Sequence, residues 1–314
     1  MKQTADKNPA DYIRPLNMNG LSGRMLHLPA PASSGAKAKQ REILFIYGQH
    51  SSLERWWGVI QELNQYGVIT VPDLAGFGGM ESLFKIGKQP TIDELADYLA
   101  SFVKWRFKRK RLVIVGLSLG FPVATRMLQR YPDLVRKVDL LVSVVGFAHH
   151  DDFAFSKRRQ AFYQYGSALF QPRPLAWFLQ NVCFHPAIMR RVYHHSLNAR
   201  QKFAGKTNED FEKVMTMELS LWKNNDTRTW LKTNREMFRL DNCRVAVNLP
   251  VWHVSVVNDR YFDERLVEQH FRVIFSQYHH ARSTSDDHGP SVIATPEQAA
   301  KMFPVQVRRA LEKC

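Results

Sequence analysis

Short apolar runs alternate along this chain with segments in which apolar residues recur at helical spacing. The runs typical of strands lie at 43–47, 68–71, 112–115, 138–145 and 249–257, and the helical patterns at 53–66 and 92–102. Strands that alternate with helices form a parallel sheet covered by helices on both faces. The pattern therefore predicts an α/β fold with a doubly wound, mostly parallel sheet.

Residues 148–245 interrupt this alternation, because they are rich in aromatic residues and lack clear strand patterns. We expect inserted helices there, which divides the chain into a first core part (1–147), a helical cap (148–245) and a second core part (246–314). The first 40 residues are poorly patterned apart from a short strand near Met25 to Leu28. A last helix is predicted to begin at Thr295-Pro296, a capping box with proline at its first position, and to end near Leu311.

The strand at 112–115 ends in the sequence Gly-Leu-Ser-Leu-Gly at 116–120, and a helical pattern follows. Small residues two before and two after Ser118 permit a sharp strand-to-helix turn that exposes the serine hydroxyl. The amides that follow lie at a helix N-terminus, where free N–H groups favour negative charge. The motif indicates a nucleophilic serine; a plain structural turn is the alternative.

Four motifs in the core resemble those of the α/β-hydrolase superfamily, in its serine esterase and lipase-like branch. They are the loop at 47–52, the Asp-x-x-Gly-x-Gly loop at 73–78, the turn at 116–120, and the late strand at 254–259. The resemblance covers about 41–147 and 246–314 and implies an α/β-hydrolase fold with an inserted cap. The serine distinguishes this chain from the dehalogenase and epoxide-hydrolase branches, which have aspartate at the turn.

The resemblance also implies a catalytic triad in the chain order Ser, Asp, His. A serine needs a base to take its proton, and the base needs a carboxylate to orient it. Asp259 is the predicted acid, with Asp263 as its nearest rival, and Asp151 and Asp152 stand in a less usual place. His288 is the predicted base, because it lies on the loop before the final helix. A surface histidine beside two aspartates is the alternative.

The same resemblance assigns the oxyanion hole to the backbone amides of Leu119 and Gln49. The family usually has histidine before Gly48, whereas this chain has Tyr47, so the loop is expected to differ in shape. The predicted substrate-binding residues are Tyr47, Ser51, Trp177 and Trp222.

Composition limits the partners. The net charge of +15 is spread along the chain, and its densest cluster, Lys104 to Arg111, precedes the nucleophile strand. A solvated loop is the default interpretation, with weak contact with an anionic membrane surface left open. No nucleic-acid motif accompanies the charge, so we expect no nucleic acid partner.

Other chemistry receives little support from the sequence. The three scattered cysteines suggest neither a disulfide framework nor a zinc site. Adjacent residues rarely converge on one ion, so His149-His150-Asp151-Asp152 is expected to be a loop at the start of the cap, and no metal or cofactor is expected. The polar N-terminus and the lack of a long apolar run favour a cytoplasmic protein.

Together these features predict a serine hydrolase of the carboxylesterase or lipase type. It would cleave an ester or related acyl bond of a small hydrophobic substrate through an acyl-enzyme. Two alternatives stay open: the same triad used for C–C bond or amide hydrolysis or for acyl transfer, and a non-catalytic α/β-hydrolase-like binding protein.

Overall fold

The computed structural model describes residues 8–35, 38, 40–195, 208–257, 259–285 and 296–314. In these ranges, eight strands form one sheet in the order β1-β2-β4-β3-β5-β6-β7-β8. The strands are β1 Ile13–Met18, β2 Leu21–Leu28, β3 Glu42–Ile46, β4 Val68–Pro72, β5 Leu112–Leu117, β6 Val138–Val144, β7 Val247–Ser255 and β8 Phe275–Arg282.

Strands β3 to β8 pair in parallel, whereas β1 and β2 form an antiparallel edge next to β4. Every residue of β3 and β5 is buried, as expected for central strands covered on both faces. The predicted α/β fold with a doubly wound, mostly parallel sheet is confirmed. Its parallel strands bring the loops after β3, β5, β6 and β7 to one edge of the sheet.

The core helices are α1 Trp57–Asn64, α2 Ile92–Arg106, α3 Gly120–Arg130, α4 Pro132–Val135, α10 Glu264–Ile274, α11 Pro296–Met302 and α12 Val305–Lys313. Helix α2 begins where the sequence predicts it, because the side chain of Thr91 accepts a hydrogen bond from the amide of Glu94 at 3.2 Å. Within the described ranges, every helix is too short or too polar to cross a bilayer.

Between β6 and β7, the described chain forms helices. They are α5 Lys157–Phe170, α6 Arg173–Phe178, α7 Pro186–His195, α8 Asn208–Asn224 and α9 Thr227–Met237, with a π-helical turn at Leu179–Cys183. The two ends of this segment pair with each other: the amide of His150 donates to the carbonyl of Leu240 at 2.9 Å, and that of Asn242 to Ala148 at 3.0 Å. These bonds hold the two ends of the segment together at the core, and we call residues 148–152 and 240–242 the neck. The division into domains stays a prediction.

Three elements differ from the sequence expectations. Strand β8 is not among the predicted runs, because most of its residues are polar. Strand β1 was not expected, because Leu16 is its one buried residue and an edge strand of this kind shows no apolar alternation. The predicted last helix is two helices, α11 and α12, separated by Phe303 and Pro304. Proline disfavours helical backbone angles at the residue before it, which ends α11. Thr295 lies outside the described residues.

Candidate active site

Ser118 occupies the turn between β5 and α3 with a backbone φ of +48°. Its amide donates to the carbonyl of Val144 at 3.0 Å, and its own carbonyl accepts from the amide of Phe121 at 3.1 Å. A non-glycine residue in the left-handed region is strained by about 1–3 kcal/mol, so these bonds to the sheet and the helix must hold it. Ser118 is partly exposed, whereas its neighbours on both sides are buried.

Glycines make this turn sterically feasible. A Cβ atom at Gly120 would lie 2.2 Å from the carbonyl oxygen of Ile46, and one at Gly116 would lie 2.7 Å from the Cα of Phe121. A Cβ at Gly48 would lie 3.1 Å from the Cβ of Ser118. The backbone of the loop after β3 therefore packs directly against the serine, which agrees with the steric reason for glycine at these positions.

The two predicted oxyanion donors lie on either side of this contact. Leu119 follows the serine as the residue before α3, and Gln49 follows Gly48. Within the described residues, neither backbone amide donates a hydrogen bond to another protein group. The side chain of Gln49 is engaged elsewhere, because its amide donates to the carbonyl of Trp230 at 3.0 Å and to Thr233 at 2.6 Å. These bonds tie the loop to helix α9.

Tyr47 lies in the core. Its hydroxyl donates to Asp73 at 2.6 Å and accepts from the amide of Leu74 at 3.3 Å. Burial and the nearby Asp73 raise the pKa of Tyr47 well above its usual value. Arg24 also donates to Asp73, at 3.1 Å. A role for Tyr47 in substrate binding therefore stays a prediction that its burial does not favour.

The other predicted substrate-binding residues lie in three different settings. Ser51 is buried and accepts from the indole N–H of Trp56 at 2.7 Å. Trp177 is 64% exposed on α6. Trp222 contacts the loop after β3, since its ring centroid is 4.0 Å from that of His50 and 3.8 Å from that of Phe184. Of these three, Trp222 is the one that the structure places against the loop beside Ser118.

Sequence reasoning missed His50 in that loop. Its φ is +53°, its Nδ1 contacts the side-chain amide of Asn225 at 3.3 Å, and its Nε2 is buried without a partner in the described part of the chain. Burial, together with the positive charge of Arg55, lowers the pKa of His50 to about 3. The ring is therefore neutral at physiological pH. It lies within the loop motif at 47–52, but nothing in that motif distinguished this histidine from its neighbours.

Asp259 lies after β7, where its carboxylate accepts from the amides of Tyr261 at 2.8 Å and Phe262 at 3.4 Å. It lines a cleft of about 430 Å³ at the carboxyl ends of β6 and β7, and the lining does not include Ser118. The rival Asp263 is the N-cap of α10, because it accepts from the amides of Arg265 and Leu266. His288, the predicted base, lies outside the described residues.

Asp152, one of the acid candidates in a less usual place, pairs with the part-buried His270, which the sequence did not mark. Asp152 is fully buried; one carboxylate oxygen accepts from the amides of Ala148 and His149, and the other lies 2.5 Å from the Nδ1 of His270. The hydrogen bond with Asp152 raises the pKa of His270. These two residues are 118 positions apart, so sequence spacing gives no signal for their contact.

The neighbouring histidines of the neck do come together. The Nδ1 of His149 and the Nε2 of His150 lie 3.5 Å and 3.8 Å from the carboxylate of Asp151. The Nδ1 of His149, however, accepts from the amide of Asp151 at 3.2 Å, and Lys157 pairs with the Asp151 carboxylate. These contacts occupy the lone pair and the charge that a metal ion would need.

Comparisons with known proteins agree with the fold. A model of the alpha/beta hydrolase fold family matches residues 43–274, which is most of the chain. The chain therefore belongs to the α/β-hydrolase fold family. Protein ABHD8 of Homo sapiens and of Bos taurus are each 32% identical to it over 111 residues, which is 34% of this chain and 25% of theirs. The match thus spans about a quarter of the length of these relatives.

Solved structures share the fold at low identity. An epoxide hydrolase from Bacillus megaterium has a TM-score of 0.63 at 15% identity, covering 96% of this chain and 99% of its own. A thermophilic esterase from Thermogutta terrifontis has a TM-score of 0.55 at 15% identity, covering 86% and 88%. An enol-lactonase from Burkholderia xenovorans has a TM-score of 0.59 at 14% identity, covering 86% and 91%.

Proposed function

We propose that this chain is a serine hydrolase that cleaves an ester or related acyl bond of a small, apolar substrate. The observation that carries the proposal is the strained backbone of Ser118, held at φ +48° with the backbone of Gly48 packed against it. Strain of this kind persists where the surrounding structure enforces it, and it clusters at active sites.

In the proposed mechanism, the hydroxyl oxygen of Ser118 attacks the acyl carbonyl carbon while His288 accepts its proton. The amides of Leu119 and Gln49 donate to the oxyanion that forms. Asp259 orients the imidazole and stabilises its charged form. His288 then gives the proton to the departing alcohol, and water releases the acyl-enzyme by the same steps in reverse.

Two features support these roles. The amides of Leu119 and Gln49 are without protein partners in the described ranges, as donors to a transient oxyanion should be before substrate binds. Asp259 and Asp263 line the same cleft after β7, and each accepts two backbone amides, but Asp263 is also the N-cap of α10. The capping role makes Asp263 the weaker candidate for the acid.

The structure also bears on the non-catalytic alternative, whose main support is Tyr47 in place of histidine. That tyrosine donates to Asp73 in the core, and the backbone of the next residue, Gly48, packs against Ser118. The substitution therefore gives no reason to expect a non-catalytic protein.

The test is labelling with a fluorophosphonate probe, which reacts with activated serines. We expect the wild type to be labelled and to hydrolyse p-nitrophenyl butyrate, and Ser118→Ala to do neither. Ser101→Ala is the matched control, because Ser101 lies on α2 with its hydroxyl bonded to the carbonyl of Asp97. Labelling that persists in Ser118→Ala excludes Ser118 as the nucleophile. Esterase activity that survives His288→Ala moves the base to another residue.

A further inference from the structure

Helix α5 presents its apolar side chains to solvent. Arg158, Phe162, Tyr165 and Leu169 recur at helical spacing on one face, and all four are exposed, with Phe162 at 74%, Tyr165 at 72% and Leu169 at 62%. The buried residues of the same helix are polar, namely Gln160 and Ser167. Tyr163 on the same helix is half-buried and stacks on Phe238, so the helix contacts the protein through one ring and leaves a separate apolar stripe open to solvent.

Helix α6 continues the pattern. Leu175 and Trp177 are exposed while Ala176 between them is buried. Both α5 and α6 pack against α9, so their exposed residues are those turned away from the rest of the protein. We call the six residues Arg158, Phe162, Tyr165, Leu169, Leu175 and Trp177 the docking face. Exposed apolar residues grouped in this way mark a surface that another molecule covers.

Charge identifies the kind of partner. From Phe153 to Asn208 the sequence contains nine lysines and arginines and no aspartate or glutamate. This segment therefore carries nine of the positive charges in a chain whose net charge is +15. Arg158 belongs to the docking face, and Arg173 begins the helix that carries Trp177; both are exposed and have no ion pair within the described residues. The partner must therefore be negatively charged and also accept apolar side chains.

We propose that the docking face binds the surface of an anionic lipid bilayer, with the aromatic and leucine side chains in the acyl boundary and the arginines at the headgroups. Apolar side chains on one face of a helix with arginine at its border are the chemistry of interfacial helices. Trp and Tyr are favoured at that depth, because one end of each ring is apolar and the other is polar.

The same observations disfavour two other partners. A second copy of this chain would bring two acid-free basic segments together, and their like charges repel. A nucleic acid would satisfy the arginines and the aromatic rings, but it offers no hydrocarbon to the exposed side chains of Leu169 and Leu175. Both remain distinguishable outcomes of the experiment below.

The experiment is flotation of the full chain with vesicles of phosphatidylcholine alone and of phosphatidylcholine with 30 mol% phosphatidylglycerol, at about 0.1 M salt. We expect binding to the anionic vesicles alone. The double variant Arg158→Gln/Arg173→Gln should weaken it roughly 25-fold, since each arginine near such a surface contributes on the order of five-fold. Phe162→Gln/Leu169→Gln should reduce it at least about ten-fold, because two apolar side chains no longer enter the bilayer.

The last turn of α2 and the loop after it offer matched controls. Lys108 and Arg109 are an exposed basic pair, and Trp105 is 51% exposed, but they lie at the opposite edge of the sheet. Lys108→Gln/Arg109→Gln removes the same charge as the arginine variant, and Trp105→Gln removes an exposed apolar ring that lies away from the docking face. We expect the control variants to bind as the wild type does.

Four results overturn the proposal: no binding to anionic vesicles, equal loss in the control variants, apolar variants that bind as tightly as the wild type, or tighter binding to a single-stranded oligonucleotide than to vesicles. A dimer in sedimentation equilibrium that Phe162→Gln dissociates favours a second copy instead. The result is separate from the proposed hydrolysis: Ser118→Ala should float like the wild type, and the docking variants should keep their activity on a soluble short ester.

Discussion

Asp152 and His270 join the start of the inserted segment to a core helix, with 2.5 Å between a carboxylate oxygen and the Nδ1 of the ring. The other carboxylate oxygen accepts two amides of the neck, so one buried side chain fixes the position where the chain leaves the sheet. The geometry of the inserted helices relative to the core thus depends on a contact that a proton can alter.

The pKa of His270 is raised by its hydrogen bond with Asp152, and this sets the direction of a pH dependence. The stabilising contribution is fully present below the unfolded pKa near 6.5 and is lost as pH rises through the folded pKa. We expect His270→Gln to lose more unfolding free energy relative to the wild type at pH 6 than at pH 8, as measured by urea denaturation. The exposed His185→Gln is the control; an equal loss at both pH values would contradict the assignment.

His50 and His253 act in the opposite direction. Burial lowers the pKa of each to about 3, so both stay neutral in the folded protein while the unfolded chain takes up protons below about pH 6.5. As the pH falls from 6 to 4, each histidine should therefore reduce the unfolding free energy by about 1.4 kcal/mol per pH unit. Removing one titration with His253→Asn should reduce this slope by that amount. A slope that does not change shows that the ring is protonated in the native state.

Tyr47 and Tyr98 both donate to Asp73, the first to its carboxylate and the second to its backbone carbonyl. Tyr47→Phe leaves a buried carboxylate short of a donor and should lower the unfolding free energy by about 1–3 kcal/mol. Tyr98→Phe removes a neutral hydrogen bond and should cost about 1 kcal/mol. Because Tyr47 lies in the core, we expect Tyr47→Phe to retain fluorophosphonate labelling. Loss of labelling without loss of stability would place the hydroxyl in the active site.

Gly120 and Gly166 give a matched pair for the steric argument. A Cβ at Gly120 meets the carbonyl of Ile46, whereas none of the neighbouring atoms lies within 4 Å of a Cβ at Gly166. Gly120→Ala should destabilise the protein by about 3 kcal/mol or more and abolish labelling. Gly166→Ala lies in the interior of α5 and should stabilise the protein by about 0.5–1 kcal/mol. Thermal unfolding of the two variants tests both signs.

Strain at Ser118 predicts a conflict between stability and activity. Glycine adopts φ +48° without the steric cost that serine has. Ser118→Gly should therefore raise the free energy of unfolding by about 1 kcal/mol, as measured by denaturant titration, while losing all labelling. Ser118→Ala keeps a Cβ at the same φ and should show no such gain. Equal stability of the two variants would indicate that the wild-type turn is relaxed in solution.

The local pattern of the sequence was enough to predict the central strands and the sharp turn at Ser118. Central strands such as β5 are buried on both faces, which makes them uninterrupted apolar runs, and the glycines at 116 and 120 are required by contacts within a few residues of the turn or with the neighbouring strand. Strand β1 was not predicted from the sequence, because its single buried side chain, Leu16, produces no periodic apolar pattern. Pro304 is itself a local signal for the break between α11 and α12.

The sequence by itself determined the central strands, the helices between them and the small residues around Ser118, since these follow from short-range burial and from backbone sterics. Only the tertiary structure decided that Tyr47 donates a hydrogen bond to Asp73, that Asp152 contacts His270, and that the apolar stripe of α5 faces solvent. Those facts depend on which distant surfaces come together. The periodic apolar pattern of a helix in the sequence is the same whether the protein covers its apolar face or leaves that face open to solvent.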